Sequence, residues 1–414
     1  MIDAPPRGRV TIAWAWVLAW SLIIWTTIPF ARGILRWTNR HFGADSLLWL
    51  SIGIIGLAAC WAARRIYQRV RNKPRRRIAL VAAITGLFIV AALESMESPA
   101  ESIHFVEYGA LGVLVFRALA FRARDPLIYV NAALICALVG VVDEALQWMT
   151  PDRYWDARDL AHNSFAAILA LAALGGAIQP AYIRLPIARS SARTAAALTA
   201  SLALLLGLSS SNTPAFAARV AARYPALEFL LDKEHPMSEY GFRLEDPDIG
   251  RFYTRFDRDT ARAIDAQRAS QLGPIIRAYV LIDAYDNALR QFTPARDPFA
   301  REVMLRLNRR NHYFGVLPKY RDEPYWYAVH VTVAWRENQI LERYFSNTLE
   351  AAGQRWTDEL KEALAEHIQD TPYTSPANNH LIHRISLRQI WCAVLIAIIF
   401  AAVIWVRSSV PRRA

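Results

Sequence analysis

Cysteine is scarce in this chain of 414 residues: Cys60, Cys136 and Cys392 all fall inside apolar segments, with no CxxC pair and no Cys/His metal spacing. That excludes a disulfide framework and a thiolate metal site. Familiar catalytic signatures are missing too. The sequence has no GxSxG nucleophile elbow, no HExxH zinc helix and no Gly-rich phosphate loop, and it lacks the arginine-histidine signature of integral-membrane lipid phosphatases. Without a visible inverted repeat, and with its charged residues near one end of the spans rather than at mid-depth, a transporter is the weaker reading. Charge is sparse at 20%, against 54% hydrophobic residues, 14 Trp and a mean hydropathy of +0.14, which is too apolar for an ordinary soluble multidomain protein.

The net charge of +12 is unevenly spread. Thr213 to His383 holds 22 basic and 24 acidic residues, so the excess belongs to the apolar remainder. Arginine clusters beside apolar runs point to membrane orientation, not to nucleic acid. Eight apolar runs are long enough to cross a hydrocarbon core of ~30 Å as helices at about 1.5 Å per residue. They are approximately Val10 to Phe30, Ser46 to Ala63, Ile78 to Leu93, Phe105 to Phe121, Leu127 to Met149, Asn163 to Ile178, Thr194 to Leu208 and Ile390 to Val406. The first carries Trp14, Trp16, Trp20 and Trp25 and no small-residue cleavage pattern, so it reads as a retained span.

Arg64 to Arg77 holds eight basic residues and is expected to stay cytoplasmic. Alternating from there puts both termini inside, with 19 basic residues on inside segments. The short outside segments hold seven: Arg32, Arg36, Arg40, Arg153, Arg158, Arg384 and Arg388. The fold class expected is mainly α: a polytopic α-helical protein of the bacterial plasma membrane with about eight spans and an inserted extracytoplasmic α+β domain. Its divisions are a membrane domain over residues 1–212, the inserted domain over 213–385, and a last span with a short basic tail over 386–414.

Within the inserted domain, helices are expected over Asp257 to Phe292 with a break at Gly273 and Pro274, over Asp297 to Arg309, and over Thr348 to Ile368. The alternation Tyr325, Tyr327, Val329, Val331, Val333, Trp335 reads as a strand, with Gln339 to Phe345 as a hairpin partner. Pro372, Pro376, Asn378 and Asn379 suggest a loose tether. Asp246, Asp248, Arg251 and Arg255 read as solvated surface, and none is nominated as a site.

The informative chemistry lies between residues 101 and 163. His104, Glu107, Tyr108 and Leu111 share one helix face at the start of the fourth span. Asp143, Glu144 and Gln147 close the fifth; two adjacent carboxylates there are costly unless solvated, paired or protonated. Asp156, Asp159 and Asn163 form an i, i+3, i+7 stripe entering the sixth, with Asp156 placed to cap the helix. The planar fork of Arg153 suits carboxylate or phosphate. By the expected topology all three pieces meet one leaflet.

Over about residues 90–180 these motifs resemble the VanZ-like family of bacterial membrane proteins, associated with teicoplanin resistance. His104 and Tyr108 fit its histidine and tyrosine beside a short apolar span. Asp143, Glu144 and Gln147 fit its Asp-Glu-x-x-Gln, while Pro151, Arg153, Asp156, Asp159 and Asn163 fit the Pro-x-Arg and Asp-x-x-Asp-x-x-x-Asn that follow. Ser102 stands where the family often has a lysine, and Ala166 where it often has a glycine.

One expectation is therefore binding or modification of an anionic envelope lipid or lipid-linked precursor at the outer leaflet, with an effect on glycopeptide tolerance. The ligand set is His104, Tyr108, Gln147, Arg153, Asp156, Asp159 and Asn163; Asp143 and Glu144 are the proton carriers if a reaction occurs. The other expectation is a non-enzymatic scaffold whose inserted domain recruits a protein partner in envelope or exopolysaccharide assembly. No metal, cofactor or nucleic acid is expected under either.

Overall fold

The structure, a computed structural model, describes residues 7–69, 74–94, 101–150 and 153–409. Arg71 and Lys73 of the basic loop, and Pro151 of the motif, lie outside the described residues. The chain divides into two compact units, Met1–Leu208 with Trp391–Ala414, and Ser209–Ile390.

The first unit is helical: α1 (Arg7–Thr27), α2 (Ala31–Phe42), α3 (Ser46–Arg69), α4 (Pro74–Glu94), α5 (Ser102–Leu119), α6 (Leu127–Met149), α7 (Ala157–Ala172, prolonged by a π-helical turn, Ala173–Ile178) and α8 (Arg189–Ser211). Seven helices among the described residues, counting the last one in the chain, are long and apolar enough to cross a membrane. They coincide with seven of the eight expected runs. The eighth, Ile78 to Leu93, forms most of α4, which is 21 residues long.

Burial separates the centre of this unit from its outer surface. Phe105, Leu111 and Val115 of α5, Ile128, Ala132 and Cys136 of α6, and Ala166 and Ala167 of α7 form the core. Trp16, Trp49, Leu57, Trp61 and Leu87 stay exposed, as side chains facing lipid should. Helices α5 and α7 approach closely because Gly112 packs on Ala167: a Cβ at Gly112 would lie 3.2 Å from the Ala167 carbonyl oxygen. The small residue of this crossing therefore sits on α5, opposite the alanines of α7. Two indoles tie α1 to the centre, Trp20 Nε1 donating to the Glu107 carbonyl at 2.9 Å and Trp25 Nε1 to that of Val139 at 3.4 Å.

The second unit comprises α9 (Pro214–Arg223), β1 (Phe242–Asp246), β2 (Gly250–Thr254), α10 (Arg258–Leu281), α11 (Tyr285–Gln291), α12 (Pro298–Gly315), α13 (Pro324–Tyr344), α14 (Ser346–Ala351) and α15 (Asp358–Ala365); α16 (Leu387–Ser409) returns to the first. The sheet is one antiparallel hairpin, Asp246 opposite Gly250. Gly250 has φ +102, and a Cβ there would lie 2.4 Å from the Tyr373 carbonyl oxygen, so the hairpin needs glycine. The core joins Phe252, Leu272, Ile276, Phe299, Val303, Leu307, Ile340, Leu341 and Phe345.

Six expectations for this unit are corrected. The strand expected over Tyr325 to Trp335 and its partner after Gln339 are the single helix α13, with Pro324 in its first turn. Val331, Ala334, Glu337, Asn338, Leu341 and Tyr344 supply its buried face at helical spacing. Helix α10 runs through Gly273 and Pro274 and ends instead near Asp283, whose φ is +52. The helix expected over Thr348 to Ile368 is split in two around Gly353 (φ +64).

Nor is the segment after Pro372 loose. Ser375 Oγ donates to Glu337, Asn378 Oδ1 accepts from Arg255 at 2.6 Å, and bridges join Thr374 to Arg251 and Ile382 to Tyr240. The solvated reading of residues 246–255 also fails in part. Asp246 and Arg255 are buried, Arg255 pairing with Glu239 at 2.7 Å and Glu302 at 3.3 Å while Arg343 pairs with Asp246 and, at 2.9 Å, Asp248.

Candidate functional site

Helices α5, α6 and α7 bring the polar residues to one end of the first unit. Asp143 and Glu144 are adjacent on α6, so they point in different directions, and each has its own donors. Tyr108 Oη on α5 donates to Asp143 Oδ2 at 3.1 Å. The backbone N–H of Asp156, just before α7, donates to Glu144 Oε2 at 3.0 Å.

Gln147, one turn on, lies under both carboxylates: its Nε2 is 3.4 Å from Asp143 Oδ2 and 3.3 Å from Glu144 Oε1. Its Oε1 accepts from the Arg153 guanidinium. One hydrogen-bonded chain thus runs from Tyr108 through Asp143, Gln147 and Glu144 to Asp156, with Arg153 attached at Gln147. The partner of Arg153 is an uncharged amide, not the carboxylates considered for it from the sequence.

Two further groups border this chain. His104 Nδ1 and Glu107 Oε2 approach to 3.1 Å on α5. Asp156 caps α7, its Oδ1 accepting from Arg158 N at 2.7 Å, and the Arg158 guanidinium lies 3.6 to 3.8 Å from Glu101, Asp156 and Asp159. His162 takes no part in the chain; its ring lies 6.1 Å from that of Phe105. Sequence reasoning missed Arg158 and Glu101 as members. The available signal for Arg158 was its place between two aspartates in the first turn of a helix.

The inner part is closed to solvent. None of Tyr108, Asp143, Glu144, Gln147 and Asn163 exposes more than 2% of its surface. Arg153, His104, Asp156, Arg158 and Asp159 are partly exposed and form the rim. Gly140 permits this closure, since a Cβ there would lie 3.0 Å from Leu160 Cδ1 and 3.6 Å from the Tyr108 ring. Both amide atoms of Asn163 and Oδ1 of Asp143 are buried without a hydrogen-bond partner among the described residues. Such groups cost about 1–3 kcal/mol each when left unpaired, so they mark a place where a further partner is favourable.

The arrangement can recognise an anion at the rim and keep two carboxylates fixed behind it. Proton exchange between Asp143 or Glu144 and a substrate requires the cluster to open. Among the described residues, no group of three or more His, Cys, Asp or Glu side chains is placed to hold a metal ion.

Comparison with known proteins matches residues 14–175 to the family model described as VanZ/LLP1. No curated protein and no solved structure matches the chain. The matched range takes in most of α1, all of α2 to α7 and every residue of the hydrogen-bonded chain from Tyr108 to Asp156, and it leaves the second unit outside. Seven helices long and apolar enough to span, together with this match, make the chain a membrane protein whose residues 14–175 are similar to the VanZ/LLP1 family.

Proposed function

We propose that the polar cluster binds the anionic headgroup of an envelope lipid or lipid-linked precursor at the outer leaflet, and that glycopeptide tolerance depends on this binding. Arg153 carries the reading. Its guanidinium sits half-buried at the rim and spends a donor on a neutral amide although the carboxylates of Glu101, Glu107, Asp143, Glu144, Asp156 and Asp159 belong to the same cluster. Its remaining donors and its charge suit a phosphate or carboxylate presented from the membrane edge. The unpartnered amide of Asn163 adds a buried donor and acceptor close to that rim in sequence, one turn beyond Asp159. The outer-leaflet placement rests on the arginine-rich segments expected inside.

The test is native mass spectrometry of the detergent-purified protein, comparing wild type with Arg153→Ala and Asp143→Asn. A charged hydrogen bond contributes about 1.5–3 kcal/mol, so Arg153→Ala is expected to weaken retention of a co-purifying anionic lipid by roughly 10- to 100-fold. Asp143→Asn should weaken it as well, by loosening Gln147. Equal lipid retention in all three folded proteins would overturn the reading.

One observation favours a scaffold instead. Glu144 and Arg158 lock the ends of α5, α6 and α7 to one another, and the second unit has a core of its own. On that reading residues 209–390 recruit an envelope-assembly protein, and cells carrying Arg153→Ala keep wild-type glycopeptide tolerance.

A further inference from the structure

Helix α5 carries a second chemical feature at its other end. Its last turn holds Arg117, 13 residues and therefore ~20 Å along the helix from His104. Beside it a cleft of about 830 Å³ opens between α1, α5 and the connection that follows α5. Arg9 from the first turn of α1, Arg117, and Arg124 from the α5–α6 connection line it, and Ile12, Trp16 and Leu114 form its apolar wall.

These arginines are exposed, and no carboxylate among the described residues pairs with any of them. No Asp or Glu lines the cleft. Asp125, next in sequence to Arg124, is committed elsewhere: it is buried, its Oδ2 accepts from Ser191 Oγ at 2.6 Å and its Oδ1 from Leu127 N at 3.0 Å. Three cationic groups from separate segments thus stand over an apolar wall in which Ile12 and Trp16 are well exposed.

We infer that this cleft is a binding site for an anionic phospholipid, its phosphate held by Arg9, Arg117 and Arg124 and an acyl chain lying along Ile12, Trp16 and Leu114. The charge fits one occupant class. A basic pocket between spanning helices recognises phosphate headgroups, and guanidinium forks bind phosphate in two-pronged geometry. A zwitterionic headgroup gains less, because its own ammonium offsets the phosphate. The site is separate from the cluster around Asp143, at the opposite end of α5, and does not depend on what that cluster binds.

The experiment uses the full chain in detergent, delipidated and titrated with phosphatidylglycerol, cardiolipin or phosphatidylethanolamine, with adducts read by native mass spectrometry. Wild type is expected to retain the two anionic lipids at least ~10-fold more strongly than phosphatidylethanolamine. The triple variant Arg9→Gln, Arg117→Gln, Arg124→Gln should lose that preference, and the corresponding triple Lys variant should keep most of it while sharing the same loss of guanidinium geometry. Running both triples in an Arg153→Ala background separates this site from the one at the other end. An anionic preference unchanged by the Gln triple in that background, or no preference in wild type, would overturn the inference.

Discussion

Asp143 keeps a carboxylate in a helix with no exposed surface, and that is tolerable because Tyr108 and Gln147 donate to it. Tyr108→Phe removes one donor and adds no volume. It is expected to destabilise the protein by about 1–3 kcal/mol, read as a lower melting temperature in detergent; an unchanged value would show that Asp143 does not rely on the phenol. Glu337 in the second unit is a stricter case. It accepts from Tyr373 at 2.7 Å and from Ser375, and it lies 3.3 Å from both Arg306 and Arg309. Glu337→Ala leaves Arg306 fully buried with Glu302 as its one carboxylate, at an expected cost of about 3–5 kcal/mol. Glu239 gives the pH dependence. Burial alone would raise its pKa, but the hydrogen bond with His380 and the pairing with Arg255 outweigh burial and hold it at about 2, against an ordinary 4.5. The unfolded chain therefore binds a proton there before the folded one does. The stabilisation is present above about pH 4.5 and is lost as pH falls toward 2. Hydrogen exchange in Ser375 to Ile382, corrected for intrinsic rate, should rise between pH 5 and pH 3 in wild type and change less in Glu239→Gln.

Each spanning helix was legible because its signal is one of length: some twenty apolar residues in a row have few other folds available. The polar cluster was legible for a related reason. Asp143, Glu144 and Gln147 fall at i, i+1 and i+4, a spacing that puts the amide beneath both carboxylates on any helix. What spacing could not give was the choice of partner across helices. Arg153 finding Gln147 depends on the connection between α6 and α7, and Arg158 joining Glu101 to Asp159 depends on how α5 and α7 meet. The misread helix α13 shows the converse. Tyr, Val, Thr and Trp crowd its first half and favour a strand locally, yet its second half buries Glu337, Asn338, Leu341 and Tyr344 at helical intervals, so tertiary packing overrides propensity. Gly273 and Pro274 misled in a similar way. Glycine is there to let α14 approach, for a Cβ would lie 2.6 Å from the Ala351 carbonyl carbon. Gly273→Ala should therefore cost about 1–3 kcal/mol and speed hydrogen exchange in Ser346–Ala351. Gly315→Ala, at the end of α12 with nothing within 4 Å of its Cβ, should leave that exchange unchanged. Equal behaviour of the two variants would remove close packing as the reason for Gly273.

The distribution of arginine makes a claim about the whole chain that side-chain contacts do not reach. Basic residues concentrate in Arg64 to Arg77, near Arg117 to Arg124 and near Arg184 to Arg193, whereas Thr213 to His383 is nearly neutral. The free energy that keeps short arginine-rich loops in the cytoplasm is then expected to put residues 213–385 on the other side, provided α4 spans along with the seven longer or more apolar helices. Single-cysteine labelling tests this directly. In a background lacking Cys60, Cys136 and Cys392, Tyr67→Cys reports on the arginine-rich end of α3 and Tyr325→Cys on α13; both side chains are well exposed. A thiol reagent that cannot cross the membrane should label Tyr325→Cys in intact spheroplasts, and Tyr67→Cys only after permeabilisation. Labelling of both from the outside would mean that α4 does not span. Labelling in the reverse order would put the Asp143 cluster on the cytoplasmic face, where an outer-leaflet headgroup could not reach Arg153, and the arginine cleft of α1 and α5 on the outer one. The cleft would keep its preference for anionic lipid in that case, because its argument rests on charge and not on sidedness, whereas the proposed effect on glycopeptide tolerance would lose its physical route.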